Sequence, residues 1–348
     1  MIGDNNNDVL TQVVAGSTTA VFKTTLTQPF EYVKTVSQLR RSVSGIKQTV
    51  AIQPVKTYFV GCSILNIGAI LKTSARFGTF EQICQLMKTN SGSETGVLSG
   101  WQIALAGIIT GSVESLWIIP FENIKTRMIE NSMIINDRAF GITNDDKISN
   151  KSTHTSNPSP AKGKTFHEVP KTTTIDALNP RYQAYLQYEK NPSVGMFNTI
   201  IETYKTRGLP GFVQGSMPTI LRQIGNSMVR FTVYTSLKKL LTQPGEPINE
   251  TVAFILGATS SIAVVSVTQP LDVIKTRMQS KDAWKSYKNS VNCCYQMFIT
   301  EGYMSLWKGS IPRLFKVGLS GGISFGIYQY VENLINLMRR EGYLKPLE

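Results

Sequence analysis

Three short stretches decide how this chain is read: Gln28-Pro29-Phe30-Glu31-Tyr32-Val33-Lys34, Ile119-Pro120-Phe121-Glu122-Asn123-Ile124-Lys125 and Gln269-Pro270-Leu271-Asp272-Val273-Ile274-Lys275. Each sets an acid two residues after a proline and a lysine three residues after the acid. One such match carries little weight, because prolines followed by charges are common. Three copies at matching places in the hydropathy pattern make an internal repeat. The first two prolines are 91 residues apart and the last two 150. A polar block of 60 residues, Asn131 to Lys190, accounts for the excess and leaves a period of about ninety.

Working outward, each copy ends an apolar segment. Thr251 to Leu271 has no charged residue, Val97 to Phe121 only Glu114, and Val9 to Phe30 only Lys23. As helices these lengths cross about 30 Å of hydrocarbon. Less apolar stretches, Thr57 to Met87, Gly215 to Leu241 and Pro312 to Met338, bring the expected spans to six, two per repeat. The repeats are expected at 8–90, 97–241 and 249–340, the second holding the polar insert at 131–190. Small residues at spacing four, Gly16 and Ala20, Gly107 and Gly111, Gly257 and Ser261, are expected to let helix backbones approach closely.

Between paired spans, Gly45 to Val55, Ser193 to Thr206 and Tyr287 to Ile299 have helical patterning and read as surface helices. Their exits are related: Glu301-Gly302 with Trp307-Lys308-Gly309, Gly208 with Gln214-Gly215, and a degenerate Phe59-Val60-Gly61. The insert, rich in Ser, Thr, Asn, Pro and Lys, is expected to be a disordered loop.

Composition excludes several function classes. With 41% hydrophobic residues the chain is too apolar for disorder. A net charge of +13 admits a polyanion, an anionic membrane surface or small acidic solutes. A nucleic-acid binder would carry its charge on exposed stripes with interleaved aromatics. Here the informative cations stand singly inside apolar spans, so no nucleic-acid partner is expected. Cys62, Cys84, Cys293 and Cys294 form no C-x-x-C pair and have no histidine nearby, which argues against zinc and against a disulfide scaffold. His154 and His167, the two histidines, both fall in the insert, so a hydrolytic triad would have to be built from a loop. No enzyme activity, cofactor or metal is expected; Gly321-Gly322, inside an apolar helix, reads as packing. The N-terminal Met1 to Gln12 holds two aspartates and no base, so any targeting is expected to be internal.

The three proline copies, the six spans and the Trp307-Lys308-Gly309 exit resemble the mitochondrial carrier family over the whole chain outside the insert. Tyr58-Phe59-Val60-Gly61-Cys62 through Lys72 to Arg76-Phe77, and Leu221-Arg222-Gln223 through Asn226 to Arg230-Phe231, are most similar to its tricarboxylate (citrate) carriers. Pro312-Arg313-Leu314 through Lys316 to Gly322 supports the same assignment. The resemblance implies an all-α membrane protein of six transmembrane helices in three pseudo-symmetric repeats, the mitochondrial carrier barrel. It further implies a monomer in the mitochondrial inner membrane that exchanges small solutes by alternating access. Inner-membrane lipids, cardiolipin among them, are the implied partners at the surface helices.

In each proline copy the acid and the lysine, at i and i+3, stay on nearby faces. In a three-fold arrangement the acid of one helix can meet the lysine of the next: Glu31 with Lys125, Glu122 with Lys275, and Asp272 with Lys34. The resemblance supplies this order and makes the ring a matrix gate, with Gln38 and Gln279 as braces; Ile129 stands where a third brace would be. At the opposite gate the implied pattern is an aromatic, an acid and then a base. This chain has Phe80-Glu81 with Cys84, Tyr234-Thr235 with Lys238 and Tyr328-Gln329 with Glu332. One standard pair remains there, Glu81 with Lys238, so a weak cytoplasmic gate is expected to leave the resting protein closed on the matrix side.

Charges at membrane depth face an interior path because lipid exposure costs several kcal/mol. Lys72, Arg76, Arg222, Arg230, Arg313 and Lys316 are all positive and call for a polyanionic ligand, which guanidinium binds bidentately. The resemblance places an Arg-Gln pair such as Arg222-Gln223 in carriers of carboxylates and keto acids, implying di- or tricarboxylate exchange, citrate-like in kind. Another anion (a keto acid, phosphate or a nucleotide), or a non-transporting membrane adaptor, remains the alternative. Lys23 and Glu114, each six residues before its proline, are expected either to pair across the cavity or to let Lys23 add an anion contact.

Overall fold

The computed structural model describes residues 3–40, 54–90, 100–139, 179–241 and 250–340. These residues are helical almost throughout: α1 (Gly3–Leu39), α2 (Val55–Tyr58), α3 (Cys62–Asn90), α4 (Gly100–Ala139), α5 (Pro180–Lys190), α6 (Met196–Arg207), α7 (Ser216–Leu241), α8 (Glu250–Gln279), α9 (Ala283–Ser286), α10 (Ser290–Glu301) and α11 (Ser310–Arg340). Short 3-10 turns, Leu209–Phe212 and Tyr303–Trp307, precede α7 and α11.

The repeat prolines lie inside long helices: Pro29 in α1, Pro120 in α4 and Pro270 in α8. A proline frees the carbonyl four residues earlier. In α8 that carbonyl, Ser266 O, accepts a hydrogen bond from Trp307 Nε1 at 3.2 Å, so the exit tryptophan satisfies the group its own repeat's proline leaves open.

The six long helices pack in sequence: α1 on α3, α3 on α4, α4 on α7, α7 on α8, α8 on α11, and α11 back on α1. Their polarity is inside out. Large apolar residues such as Phe22, Trp101, Trp117, Val267 and Phe315 are exposed, whereas Gln28, Gln38, Lys125, Gln269 and Asp272 are buried. An apolar exterior around a polar interior suits a hydrocarbon solvent. Among the described residues, two helical segments are apolar and long enough to cross a membrane by composition, Val55–Met87 and Leu105–Ala139, against the six spans expected. Of the others, α7 and α11 carry the basic residues Arg222, Arg230, Arg313 and Lys316.

Three glycines close the seams between repeats. Gly61, Gly215 and Gly309 immediately precede α3, α7 and α11 and have φ of 82°, 74° and 78°, a region a side chain adopts only at a cost. Each also presses on the following repeat in the cycle. A Cβ on Gly61 would come within 3.0 Å of Lys125 Cγ, one on Gly215 within 3.2 Å of Gln279 Cγ, and one on Gly309 within 3.2 Å of Lys34 O. Inside each repeat an amide ties the proline copy to the turn before the second long helix. Gln28 Nε2 donates to Val60 O at 2.8 Å, Asn123 Nδ2 to Phe212 O at 2.8 Å, and Gln269 Nε2 to Lys308 O at 2.7 Å.

Two expectations need correction. The insert is not loop throughout: residues 131–139 continue α4, and Pro180–Lys190 form α5, capped by Asn179, whose side chain accepts from Arg181 N. Residues 140–178 lie outside the described residues. Two of the small-residue positions, Gly107 and Gly257, are not sites of close approach either. A Cβ on Gly107 or Gly257 would meet nothing within 4 Å, whereas one on Gly111 would lie 3.0 Å from Gln223 Cγ. The close contact falls on Gly68 of α3, where a Cβ would lie 2.7 Å from Ile118 Cδ1, because the bulky apolar residues of α4 turn towards α3. Of the three expected surface helices, α6 and α10 cover the second and third; Gly45 to Val55 lies almost wholly outside the described residues.

Candidate functional site

The proline copies come together into a ring. Lys125 Nζ lies 2.6 Å from Glu31 Oε1, Lys275 Nζ 2.5 Å from Glu122 Oε2, and Lys34 Nζ 2.7 Å from Asp272 Oδ2. Each pair joins two different long helices, so three ion pairs link α1, α4 and α8 in a cycle. Separating buried partners strands uncompensated charge, so the three pairs tie α1, α4 and α8 to one another.

Two glutamines support it. Gln38 Nε2 donates to Asp272 Oδ2 at 2.9 Å while its Oε1 accepts from Thr276 Oγ1 at 2.7 Å. Gln279 Oε1 accepts from Thr126 Oγ1 at 3.2 Å. At the third position Ile129 is fully buried against Tyr32 and Val36, so an apolar contact stands there. The threonines were legible: a Lys-Thr pair, Lys34-Thr35, Lys125-Thr126 and Lys275-Thr276, closes every proline copy.

The cations of the second long helices converge on these acids. Lys316 Nζ lies 2.7 Å from Glu31 Oε2. Arg222 reaches Asp272 at 3.5 Å and Glu122 at 4.0 Å. Arg313, buried, donates to Gln269 Oε1 at 3.0 Å, Thr268 Oγ1 at 2.8 Å and Asn226 Oδ1 at 3.4 Å, which binds α11 to α8 and α7. Gln223 packs on α4 opposite Gly111, and Arg230 is exposed.

Glu114 is buried and faces Lys72 Nζ and Arg76 Nε, each at 3.5 Å. The structure thus gives Glu114 to α3 and not to Lys23, because α3 packs directly against α4 on that face. Lys23 is half-buried. The side chains of Glu81 and Lys238 lie outside the described residues.

Long helices packed one on the next, apolar outside, with a buried ion-pair ring and cations against it, fit a multi-pass membrane protein. Residues 5–91, 171–245 and 247–339 match the family described as mitochondrial carrier protein. The chain belongs to the mitochondrial carrier family, whose members are transporters rather than enzymes and reside in the mitochondrial inner membrane. It is 39% identical to an uncharacterized mitochondrial carrier of Saccharomyces cerevisiae, over 97% of this chain and 100% of that protein. It is 33% identical to the mitochondrial citrate transporter A of Aspergillus niger, over 92% and 90% of the two chains. To the tricarboxylate transport protein of Saccharomyces cerevisiae it is 31% identical, over 93% and 95%. The family match leaves out α4, yet the structure sets Glu122 and Lys125 of α4 in the ring.

Proposed function

We propose that this carrier exchanges small di- or tricarboxylates, citrate-like in kind, by alternating access through a six-span, three-fold barrel. In this reading the ring of Glu31, Lys34, Glu122, Lys125, Asp272 and Lys275, braced by Gln38 and Gln279, is the matrix gate, held closed. Lys72, Arg76, Arg222, Gln223, Arg230, Arg313 and Lys316 are the proposed substrate contacts, Gln223 also packing on α4 and Arg313 also tying α11 to α8 and α7. Glu81 and Lys238 form the lighter cytoplasmic gate. The observation that carries the reading is that Lys316, Arg222, Lys72 and Arg76 all rest on internal carboxylates. These are places that a soluble polycarboxylate can take over. An anion bound by Lys316 and Arg222 engages cations that also hold Glu31 and Asp272 of the ring, which couples binding to the state of the ring. The named citrate and tricarboxylate relatives support the substrate class.

The test is uptake of labelled citrate into liposomes holding the purified protein and preloaded in turn with citrate, malate, oxoglutarate, phosphate, ATP or nothing. Exchange against carboxylates is expected; exchange against ATP or phosphate alone would overturn the substrate class.

A further inference from the structure

In the third repeat Arg277, seven residues after Pro270, lies 2.9 Å from Glu301, the residue before Gly302. The same positions of the second repeat are Arg127 and Arg207, the residue before Gly208. Two guanidinium groups thus stand where the third repeat has an ion pair. Arg127 is 1% exposed, and its Nε and Nη2 have no hydrogen-bond partner. Burial, and next to it Arg127, push Arg207 down to about 9.

With no acid at the position of Glu301, the second repeat reaches across to the third. Arg207 donates to Ser280 O at 3.1 Å and to Lys281 O. Lys281 Nζ lies 2.5 Å from Glu202, and its backbone N–H donates to Glu130 Oε2 at 2.7 Å. Over this seam lies α5. Its C-terminal carbonyls, Glu189 O and Lys190 O, accept from Arg138 at the end of α4. Its other side grips the third repeat: the Tyr185 hydroxyl donates to Asp282, the Tyr185 ring meets Trp284 edge-on at 5.9 Å, and Lys285 Nζ sits 3.6 Å from the Tyr185 centroid and 5.2 Å from that of Tyr182. A cavity of 70 Å³ remains between Arg127, Tyr185, Arg207 and Asp282, so directed polar and ring contacts hold the seam, not close packing.

We infer that α5 is a latch that ties the second repeat to the third at the ring end and opposes opening there. The ring pair across that same seam is Glu122 with Lys275, so latch and ion pair must part together. The inference rests on the alternating-access reading, but its test needs no substrate, so the two fail separately.

Spin labels are attached through keto amino acids introduced at the exposed positions Lys205 and Lys288 of the full chain, leaving the native cysteines in place. Their separation is measured by dipolar spectroscopy in a background with the ring pair weakened by Lys275→Gln, or by Glu122→Gln should the first not fold. Unlatching by Tyr185→Phe with Lys285→Gln, and separately by Asp282→Asn, is expected to raise the long-distance fraction at least about threefold, roughly the shift in equilibrium that a lost contact of this kind gives. Equal fractions with and without the latch, zero in both included, would overturn the inference.

Discussion

Glu31 holds two lysines from different helices at once: Lys125 Nζ at 2.6 Å on Oε1 and Lys316 Nζ at 2.7 Å on Oε2. One carboxylate therefore belongs both to the ring and to the cation cluster. A substrate that engages Lys316 must loosen its hold on Glu31, and a ring that closes must recapture it. This shared acid is the physical link between binding and gating in the proposed cycle.

Lys316→Gln breaks that link while keeping a neutral polar side chain. Exchange by reconstituted protein is expected to fall by about tenfold or more, the effect of losing on the order of 1.4 kcal/mol at the barrier. Thermal unfolding in detergent should change little, because Glu31 keeps Lys125 and Lys34. Unchanged exchange would remove Lys316 from the binding path.

The ring residues should differ in structural weight according to what each removal strands. Asp272→Ala leaves Lys34, Gln38 and Arg222 without their common carboxylate and belongs at the top of the roughly 3–5 kcal/mol range for breaking a buried pair. Lys125→Met leaves Glu31 with two other lysines and belongs at or below its bottom. Chemical or thermal unfolding of the two variants side by side checks the order; the reverse order would refute it.

Gln38→Ala removes a charged hydrogen bond to Asp272 and a neutral one from Thr276. A loss of about 2–3 kcal/mol in stability is expected, since a hydrogen bond to a charged group is worth roughly 1.5–3 kcal/mol. Faster exchange should accompany it if release of the ring limits turnover. A stability within about 0.5 kcal/mol of the parent, the usual scatter of inconsequential substitutions, would show that the brace carries nothing.

Glu114→Gln frees Lys72 and Arg76 from an internal competitor, so the KM for a tricarboxylate is expected to fall about three- to tenfold. The double exchange of Lys23→Glu with Glu114→Lys should restore nothing relative to the singles, because Glu114 is paired with α3. Rescue by the exchange would show that Lys23 and Glu114 do meet during the cycle.

How much of this was legible in the sequence follows from the range of each interaction. The proline copies could be read because acid and lysine stand at a fixed spacing and recur three times, and a three-fold cycle leaves few ways to pair them. Lys23 and Glu114 were read by depth alone. Depth says nothing of rotation about a helix axis, and it is the rotation of α3 that delivers Lys72 and Arg76 to Glu114. The glycine stripes misled for the same reason: spacing marks a face, and only packing shows that Gly68, not Gly107, meets its neighbour. The α5 latch was hidden by composition. A polar segment reads as loop, while Asn179-Pro180 is a sound helix start and Tyr182 with Tyr185 gives one face an aromatic surface. Arg207 stood in plain view before Gly208, but its meaning appears only when set against Glu301.

The measurement closest to the central claim is homo-exchange of labelled citrate by the purified full chain in liposomes, wild type beside Arg222→Ala. The account expects saturable uptake into citrate-loaded vesicles, little into empty ones, and its loss in the variant. Citrate uptake that Arg222→Ala leaves intact, or folded wild-type protein that moves no carboxylate while exchanging ATP or phosphate, would contradict it.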